Sequence, residues 1–516
     1  MNKINYNPDI LACLASLSND EVFTPPKVVN EMLDLLPPQL WTDKNAKFLD
    51  PVSKTGIFLR EIAKRLMKGL EKQIPDRQKR VNYILTNQLY GIAITELTAL
   101  VSRRSLYCSK TANSKYSVCR KFTNKEGNIK FNSIKHIWRS GRCKYCGASQ
   151  EVYDRGDGLE SHAYEFIHTD KPDEMFKMRF DVIIGNPPYQ LSDGGGNGTS
   201  AMPIYQLFVK QAKKLNPRFI TMIIPSRWFT GGKGLDEFRK EMLNDTRLCE
   251  IYDFPEASDC FPGVQIKGGV NYFLWSRDYK EKTCKVITYR GGTPGEAAER
   301  PLLEANSDVF IRYNEGINIL KKVQSFKEKT LVGYVSARKP FGLDSNFSDF
   351  SKQESKVNYI KLYRYGDIGY VSESQVIKNK KDINKIKVII SKAGSGSDTF
   401  PHQILGVPII AGPNTICTET YLILNVFKSI GEAKNFVSYV ETKFFRFMVF
   451  LIKNTQNAPR EVYSFVPNQD FSKSWSDEKL YKKYKLSKKE IDFIESMIKP
   501  MTLETEKMGL TDESRD

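Results

Sequence analysis

The stretch Asn186-Pro187-Pro188-Tyr189 combines residue types that can hold a planar amino group. Two consecutive prolines fix φ and remove amide hydrogens, so the turn is stiff and its carbonyl oxygens lack internal partners. An asparagine oxygen and a proline carbonyl can together accept both hydrogens of one exocyclic amine, which makes its nitrogen nucleophilic. The Tyr189 ring offers a face on which a planar base can stack. The alternative is an ordinary turn at a strand end, because Asn-Pro and Pro-Pro are common turn signals.

A second candidate site is a group of cysteines. Of nine cysteines, Cys108, Cys119, Cys143 and Cys146 lie close together in the chain, the last two as a C-x2-C pair. Four thiolates with such a pair predict a tetrahedral structural zinc site, with His136 as a spare ligand. A closed four-ligand site leaves no open position for catalysis. The alternative is four cysteines that bind no metal.

The elements that must position these residues alternate between strand and helix patterns. Short apolar or β-rich runs predict strands at 48–50, 89–94, 164–168, 180–185 and 219–225. Helical spacing of apolar residues lies between them, as in 57–70, 96–107 and 205–215. Such alternation indicates βαβ units and a parallel sheet covered by helices. Ligands bind beyond the carboxyl ends of such strands, and the Asn186 turn follows one of them.

Composition limits the class of protein. The 516 residues exceed one ordinary core, so we expect two large domains, and 40% hydrophobic with 27% charged residues is typical of a soluble globular protein. The formal charge of +18 favours a polyanionic partner, although a lysine-rich solvated surface gives the same value. No apolar run approaches the roughly 18 residues that span a bilayer, and residues 1–10 lack a signal-peptide layout. We therefore expect a cytoplasmic protein without a membrane partner.

Several motifs occur in a characteristic order around the Asn186 turn: FTPPKVVNEMLDLL (23–36), FLDPVSKTGIFL (48–59), FIHTD (166–170), FITMIIPSRWF (219–229) and DCFPGVQIKGGVNYFLW (259–275). With the Asn-Pro-Pro-Tyr turn they resemble the gamma-class, adenine-specific (N6) DNA methyltransferases of restriction-modification systems. The resemblance covers roughly residues 20–280. It implies a Rossmann-like α/β domain, S-adenosyl-L-methionine as methyl donor, and transfer to an adenine amine extruded from duplex DNA.

The resemblance also assigns cofactor-binding residues. Thr24 would contact the methionine part of the cofactor. Asp50, Pro51 and Gly56 match the cofactor loop of the family. Asp170 would follow the third strand and bind the amine of the cofactor's adenine.

The target adenine would be held by Asn186, Pro187, Pro188 and Tyr189, with Phe261 on its opposite face. Asn186 would border the cofactor as well. No strong base is required before attack, because the proton can leave after the charge forms. Positioning would supply most of the rate effect.

Three departures from the family pattern bear on cofactor affinity. Lys54 replaces a glycine that is common within the cofactor loop. Ala93 stands where an acid is expected to hold the ribose hydroxyls, and Glu96 is the nearest substitute. An insertion at about 107–160, which contains the cysteines, separates the second and third strand motifs.

The domain prediction has three parts. A catalytic domain with the insertion is predicted at 1–285, a mixed α/β target-recognition domain at 286–470, and terminal helices at 471–516. Loops that could contact DNA, or could be ordinary surface turns, are 336–342, 392–398 and 456–460. The predicted partner is double-stranded DNA. A separate restriction nuclease or helicase subunit is implied by the resemblance alone.

Other functions remain open from the residues. The same turn occurs in methyltransferases that act on RNA or on protein glutamine amides, since any planar amine poses the same problem. Those chains are usually much shorter, and the large carboxyl-terminal half favours DNA. A DNA-binding specificity subunit with a decayed cofactor pocket is a further alternative, motivated by Lys54 and Ala93.

Overall fold

The computed structural model describes residues 22–154, 162–191, 202–304, 309–357, 359–394, 401–453 and 457–501. The chain divides into two compact units, Met1–Phe310 and Ile311–Asp516. Sequence patterns predicted a domain boundary at residue 285. The first unit also takes in the strands Cys284–Arg290 and Ala298–Arg300, which pair with each other in its sheet.

The strands of the first unit are β1 (Phe48–Ser53), β2 (Leu89–Ala93), β3 (Ile129–Lys130), β4 (Trp138–Arg139), β5 (Arg142–Cys143), β6 (Val182–Gly185), β7 (Gln190–Leu191), β8 (Met202–Pro203), β9 (Phe219–Pro225), β10 (Leu248–Phe254), β11 (Val270–Ser276), β12 (Cys284–Arg290), β13 (Thr293–Pro294) and β14 (Ala298–Arg300). Ten of them form one sheet in the order β13-β12-β10-β11-β9-β6-β1-β2-β3, with β14 beside β12. The neighbours from β9 to β3 are parallel, and β11 is antiparallel to both β9 and β10. The predicted α/β class with a large, mostly parallel sheet is confirmed.

The chain reverses its direction of travel across the sheet between β1 and β6. From β1 it proceeds outward through β2 to β3, and it then returns to β6 on the other side of β1 and continues to β9. Such a reversal opens a crevice beyond the carboxyl ends of the two strands. Asp50 lies within β1, residues 54–56 follow that strand, and Asn186 follows β6, so the topology brings these two motifs to one place.

The helices of the first unit are α1 (Pro26–Asp34), α2 (Ile57–Gly69), α3 (Arg77–Asn87), α4 (Glu96–Tyr107), α5 (Gln150–Tyr153), α6 (Tyr205–Lys214) and α7 (Asp236–Asn244). Side chains of β1 alternate between two core clusters. Phe48 packs in the cluster that contains Ile62 of α2, and Leu49 in the cluster that contains Phe208 of α6. Both faces of the sheet are thus buried, as expected for parallel strands.

The strand predicted at 164–168 is wrong. Glu165–Ile167 forms one turn of 310 helix, and the third parallel strand of the sheet is β3. Phe166 and Ile167 are buried in the core, which explains their apolar character. The side-chain amide of Gln211 donates to the carbonyl oxygens of Phe166 and Thr169 at 3.0 and 2.8 Å. A side chain thus supplies the hydrogen bonds that a neighbouring strand would give to these backbone carbonyls. An apolar run this short does not distinguish a strand from a buried turn.

The second unit contains β15 (Ile360–Arg364), β16 (Asp367–Val371), β17 (Ile386–Ser391), β18 (Ile409–Ala411), β19 (Thr415–Cys417) and β20 (Tyr421–Phe427). Its helices are α8 (Asn314–Ser325), α9 (Ile430–Glu441), α10 (Lys443–Phe450), α11 (Asp477–Lys483) and α12 (Lys488–Met497). The strands form two small sheets, β16-β15-β19 and β18-β17-β20. In the parts of both units that the structure describes, no helix combines the length and the apolar character needed to cross a membrane.

Candidate active site

A cleft lies at the carboxyl ends of β1 and β6 and is bordered by the segment that precedes α1. Its lining includes four residues that the sequence analysis assigned to the site, which are Thr24, Asp50, Gly56 and Asn186, and also Lys54. They come from three distant parts of the chain. The sheet topology and the approach of residues 22–24 therefore assemble one site from separate motifs.

Asn186 lies directly after β6 and is only 3% exposed. Its side-chain nitrogen Nδ2 donates to the carbonyl oxygen of Val22 at 2.9 Å and to Oγ1 of Thr24 at 3.1 Å. These two bonds use both amide hydrogens and so fix the orientation of the side chain. The oxygen Oδ1 is buried and accepts no hydrogen bond from the residues that the structure describes. An acceptor in this state is costly, by about 1–3 kcal/mol, unless a donor arrives.

Asp50 lies within β1 beside this asparagine and is 2% exposed. Its Oδ1 accepts a hydrogen bond from the Val52 amide at 3.1 Å. Burial raises the pKa of Asp50 to about 7, against the opposing effects of the Val52 and Ser53 hydrogen bonds and the Lys54 charge. A Cβ on Gly185 would come within 3.1 Å of this Oδ1, so glycine permits the close approach of the two strand ends.

Gly56 ends the loop after β1 and precedes the first turn of α2. Its φ of +72° lies in the left-handed region that favours glycine, and a Cβ there would lie 2.9 Å from the Ser102 carbonyl oxygen. The Ser102 hydroxyl donates to the carbonyl oxygen of Lys54 at 3.1 Å, which anchors the loop to α4. The Lys54 ammonium donates to the Val22 carbonyl at 3.3 Å. The loop is thus held on two sides around the cleft.

The predicted aromatic residues of the site are buried. Pro187 and Pro188 are buried within the turn. Tyr189 is 8% exposed and Phe261 is 1% exposed, and both belong to one core cluster. Burial raises the pKa of Tyr189 well above its usual value. In this state neither ring presents a free face to solvent.

Three predicted cofactor residues, Pro51, Glu96 and Asp170, lie outside the cleft lining, and Pro51 is buried within β1. Glu96 is exposed at the first position of α4, beyond the carboxyl end of β2. Asp170 has a side chain that is 68% exposed, and it accepts hydrogen bonds from Lys144 at 2.8 Å and from the Tyr145 hydroxyl at 3.1 Å. The Lys144 ammonium holds the pKa of Asp170 below its usual value. Asp170 is therefore engaged with the cysteine insertion.

The role assigned to Asp170 depended on its position after the third strand, and that strand is β3. The first polar side chain beyond β3 is Asn132, whose Nδ2 donates to Oε1 of Glu165 at 2.7 Å. Sequence reasoning missed Asn132 because a strand of two residues leaves no periodic pattern.

The cysteines do not form the predicted set of four. Cys143 and Cys146 lie with His136 and His168, and the four potential ligand atoms are all within 4.8 Å of one another. Cys119 is buried in the opposite core cluster, and Cys108 is exposed at the end of α4. The spacing of the cysteines along the chain could not predict on which face of the sheet each one lies. His168 was not considered as a ligand because its segment was interpreted as a strand.

Solved structures of restriction-modification enzymes are similar to this chain over most of its length. A nuclease-deletion mutant of the Type ISP restriction-modification enzyme LlaGI in complex with a DNA substrate mimic superposes with a TM-score of 0.45 at 10% identity, over 91% of this chain and 54% of that chain. A DrdV-DNA complex superposes with a TM-score of 0.43 at 14% identity, over 87% and 56%. The chain spans about half the length of these proteins.

Sequence relatives are closer. Residues 87–261 match the family model of the Eco57I restriction-modification methylase. The chain is 24% identical over 234 residues to the Type II methyltransferase M.PstI of Providencia stuartii, which covers 43% of this chain and 45% of that protein. It is 37% identical over 340 residues to an "Uncharacterized adenine-specific methylase" of Mycoplasma pneumoniae, which covers 61% of this chain and 80% of that protein. The chain belongs to this family of adenine-specific methylases.

Proposed function

We propose that the chain transfers a methyl group from S-adenosyl-L-methionine to the N6 amine of adenine in duplex DNA, as the modification component of a restriction-modification system. The observation that carries the proposal is the buried Oδ1 of Asn186, which accepts no hydrogen bond from the described residues although Asn186 lines the cleft. Membership of the adenine-specific methylase family supports the choice of amine.

The residues that line the cleft fit the cofactor. When bound, S-adenosyl-L-methionine supplies an electrophilic methyl group on a sulfonium, and such a transfer needs no Lewis acid. The Lys54 ammonium and the free amides at the start of α2 suit a carboxylate, and the Asp50 carboxylate suits an ammonium group. A side chain at Gly56 would collide with α4. We therefore assign cofactor binding to Thr24, Asp50, Lys54 and Gly56.

The amide of Asn186 acts as a fixed acceptor. Because Val22 and Thr24 occupy both Nδ2 hydrogens, Oδ1 is the end left to accept a hydrogen from the adenine amine. The Pro187 carbonyl would accept the second hydrogen. Holding both hydrogens draws the lone pair of the nitrogen away from the ring, and a fixed position lowers the entropic part of the barrier. This preorganisation is the main catalytic contribution that we assign to the chain.

The adenine must leave the duplex to reach the cleft, which costs a few kcal/mol. We assign part of the compensation to stacking on Tyr189 and Phe261. Since both rings are buried in this structure, that role requires them to move out of the core cluster when the base enters.

We assign target recognition to the second unit. Two of the predicted contact loops converge there, since Arg338 and Lys392 both bind Oε1 of Glu419, at 2.7 and 3.1 Å. The third loop joins them, because the Ala458 amide donates to the Lys392 carbonyl at 2.8 Å. Residues 395–398 and 456 of these loops lie outside the described residues. Three basic side chains, those of Arg338, Lys339 and Lys392, surround the Glu419 carboxylate, and this local excess of positive charge supports contact with DNA phosphates.

The test is methylation of a random-sequence duplex by the purified chain with S-adenosyl-L-methionine, read by modification-sensitive sequencing. We expect modified adenines within one sequence context. RNA and a glutamine-containing protein, offered with labelled donor, test the other planar amines. If the folded chain binds the donor and leaves every adenine unmodified, the proposal fails.

A decayed specificity subunit is the second candidate, because Ala93 stands where an acid is expected and Glu96 lies outside the cleft lining. Calorimetric titration with S-adenosyl-L-methionine separates the two functions. Saturable binding supports the methyltransferase, whereas DNA binding without donor binding supports the specificity subunit.

A further inference from the structure

The insertion between β3 and β6 holds two histidines and two cysteines around one point. We propose that His136, Cys143, Cys146 and His168 form a structural zinc site with a Cys2His2 ligand set. Their potential ligand atoms lie within 4.8 Å of one another, and three of the four residues are buried. This inference does not rest on the methyl transfer reaction, and its test has a separate measurement.

The distances agree with a tetrahedral ion. Zinc lies about 2.0–2.1 Å from nitrogen and about 2.3 Å from sulfur, so tetrahedral geometry places two nitrogens about 3.4 Å apart and nitrogen and sulfur about 3.6 Å apart. In the structure, Nδ1 of His136 lies 3.2 Å from Nε2 of His168 and 3.5 Å from Sγ of Cys146. Small shifts of the four ligand atoms, which lie within 4.8 Å of one another, would accommodate the ion.

The orientation of His168 provides an independent indication. Its Nδ1 lies 2.7 Å from the carbonyl oxygen of Tyr164, which can only accept a hydrogen bond. The neutral ring therefore carries its hydrogen on Nδ1, and the lone pair of Nε2 is on the side of Nδ1 of His136, which itself lies close to Sγ of Cys146. A backbone carbonyl that fixes the tautomer in this way is the usual companion of a metal-binding histidine.

The backbone around Cys143 is also arranged for a thiolate. The Tyr145 amide lies 3.4 Å from Sγ of Cys143, within the range of an N–H to sulfur hydrogen bond. The loop closes where the Gly147 amide donates to the Cys143 carbonyl at 3.1 Å, with a φ of +75° at Gly147. A donor aimed at sulfur stabilises the negative charge that a metal ligand carries.

The site would be structural. Four protein ligands fill a tetrahedral zinc and leave no position for a substrate or water. The nearby strands β4 and β5 are two residues each, so the hairpin has little hydrogen bonding of its own. A metal that joins this hairpin to the turn at 165–167 would add the stability that short strands lack.

Metal content and metal geometry test the inference on the full chain. Elemental analysis after purification without added metal should give one zinc per chain. X-ray absorption should show two sulfurs at about 2.3 Å and two nitrogens at about 2.0–2.1 Å. A shell of four sulfurs, or a folded chain that binds no zinc when the ion is offered, would overturn the proposal.

Variants identify the ligands. We expect Cys143→Ser and His168→Ala to lower zinc content at least tenfold, while Cys108→Ser and Cys119→Ser retain it. Zinc loss in Cys108→Ser would overturn the ligand set in favour of a thiolate site. If a ligand variant does not fold, X-ray absorption of the unmodified chain still decides between the two sets.

Discussion

The cleft at the ends of β1 and β6 and the cysteine-histidine group are assembled in opposite ways. In the cleft, Asn186 bonds Thr24 across 162 positions of sequence. In the cysteine-histidine group, His136 and His168 are 32 positions apart. The distant site was nevertheless easier to anticipate, because each of its motifs follows a strand and parallel strands end at a common edge. The local group has no such framework, and its ligands depend on how an irregular insertion folds.

The sharpest test of the cleft is Asn186→Ala. Loss of the fixed acceptor should reduce methyl transfer at least about 100-fold, in line with the removal of one preorganised hydrogen-bonding group elsewhere. Affinity for S-adenosyl-L-methionine should remain within a few-fold of the unmodified chain. Methylation is measured with labelled donor and binding by calorimetry.

Asn132→Ala is the matched control for this variant, since it removes an asparagine side chain that follows another parallel strand of the same sheet, β3. It should leave the rate at saturating donor largely unchanged. Near-normal transfer by Asn186→Ala would remove the amide oxygen from the mechanism.

Removal of zinc from the cysteine-histidine group should lower the stability of the insertion. Dialysis against a strong chelator should lower the thermal midpoint by at least about 5 °C, because a few kcal/mol of binding energy is lost from the folded state. Proteolysis should accelerate first within residues 130–170. Calorimetry should show donor binding largely retained below the lowered midpoint.

The Cys108→Ser protein, treated with the same chelator, should lose the same stability as the unmodified chain. A chelator that leaves both the midpoint and the cleavage pattern unchanged would argue that the group is an unmetallated part of the core.

The sequence predicted the framework of the site and much less of the insertion. Apolar runs and helical spacing located β1, β2, β6, β9, α2, α4 and α6, because buried strands and amphipathic helices leave periodic patterns. The proximity of Asp50, Gly56 and Asn186 follows from those elements, whereas that of Thr24 was implied by the family resemblance. The contact of Asn186 with Val22 could not be predicted, since it depends on how an irregular segment crosses the sheet.

The insertion was mispredicted for a related reason. Counting cysteines favoured Cys108 and Cys119 as ligands, although Cys119 lies in the core cluster on the other face of the sheet. His168 was interpreted as part of a strand, and Asp170 as the residue after it. The errors on His168 and Asp170 have one cause, because the apolar residues of this segment are buried in a turn and not in a strand.

Gly56→Ala tests the effect of backbone strain in the cleft, for comparison with a glycine in the insertion. The substitution forces a Cβ into a left-handed residue and against the Ser102 carbonyl. We expect a loss of about 1–3 kcal/mol in the free energy of unfolding and weaker donor binding. Chemical denaturation and calorimetry measure the two effects.

Gly141→Ala in the β4–β5 turn is the matched control. Gly141 has a similar φ of +76°, but a Cβ there would meet no atom within 4 Å. It should show the cost of the positive φ alone. Equal losses in the two variants would mean that the contact with α4 is unimportant.

The buried carboxyl of Asp50 predicts a dependence on pH. Its pKa of about 7 in the folded chain exceeds the usual value near 3.9, so the folded state holds this proton more tightly than the unfolded state. The contribution of Asp50 to stability therefore falls as pH rises from about 4 to 7. Relative to Asp50→Asn, the unmodified chain should become less stable across this window in denaturant titrations. A constant difference between the two proteins would contradict the shift.

The smallest expected effect belongs to Asp170. Asp170 lies outside the cleft lining, and its ion pair with Lys144 is exposed to solvent, which screens both charges. Asp170→Asn should therefore change donor affinity less than twofold. If the residue after the third strand holds the cofactor's adenine, Asn132→Ala should instead raise the dissociation constant several-fold. Equilibrium binding of S-adenosyl-L-methionine to both variants compares them directly, and the opposite ranking would restore Asp170 to the cofactor site. The ranking also decides whether the insertion, which holds Asp170, takes any part in binding the donor.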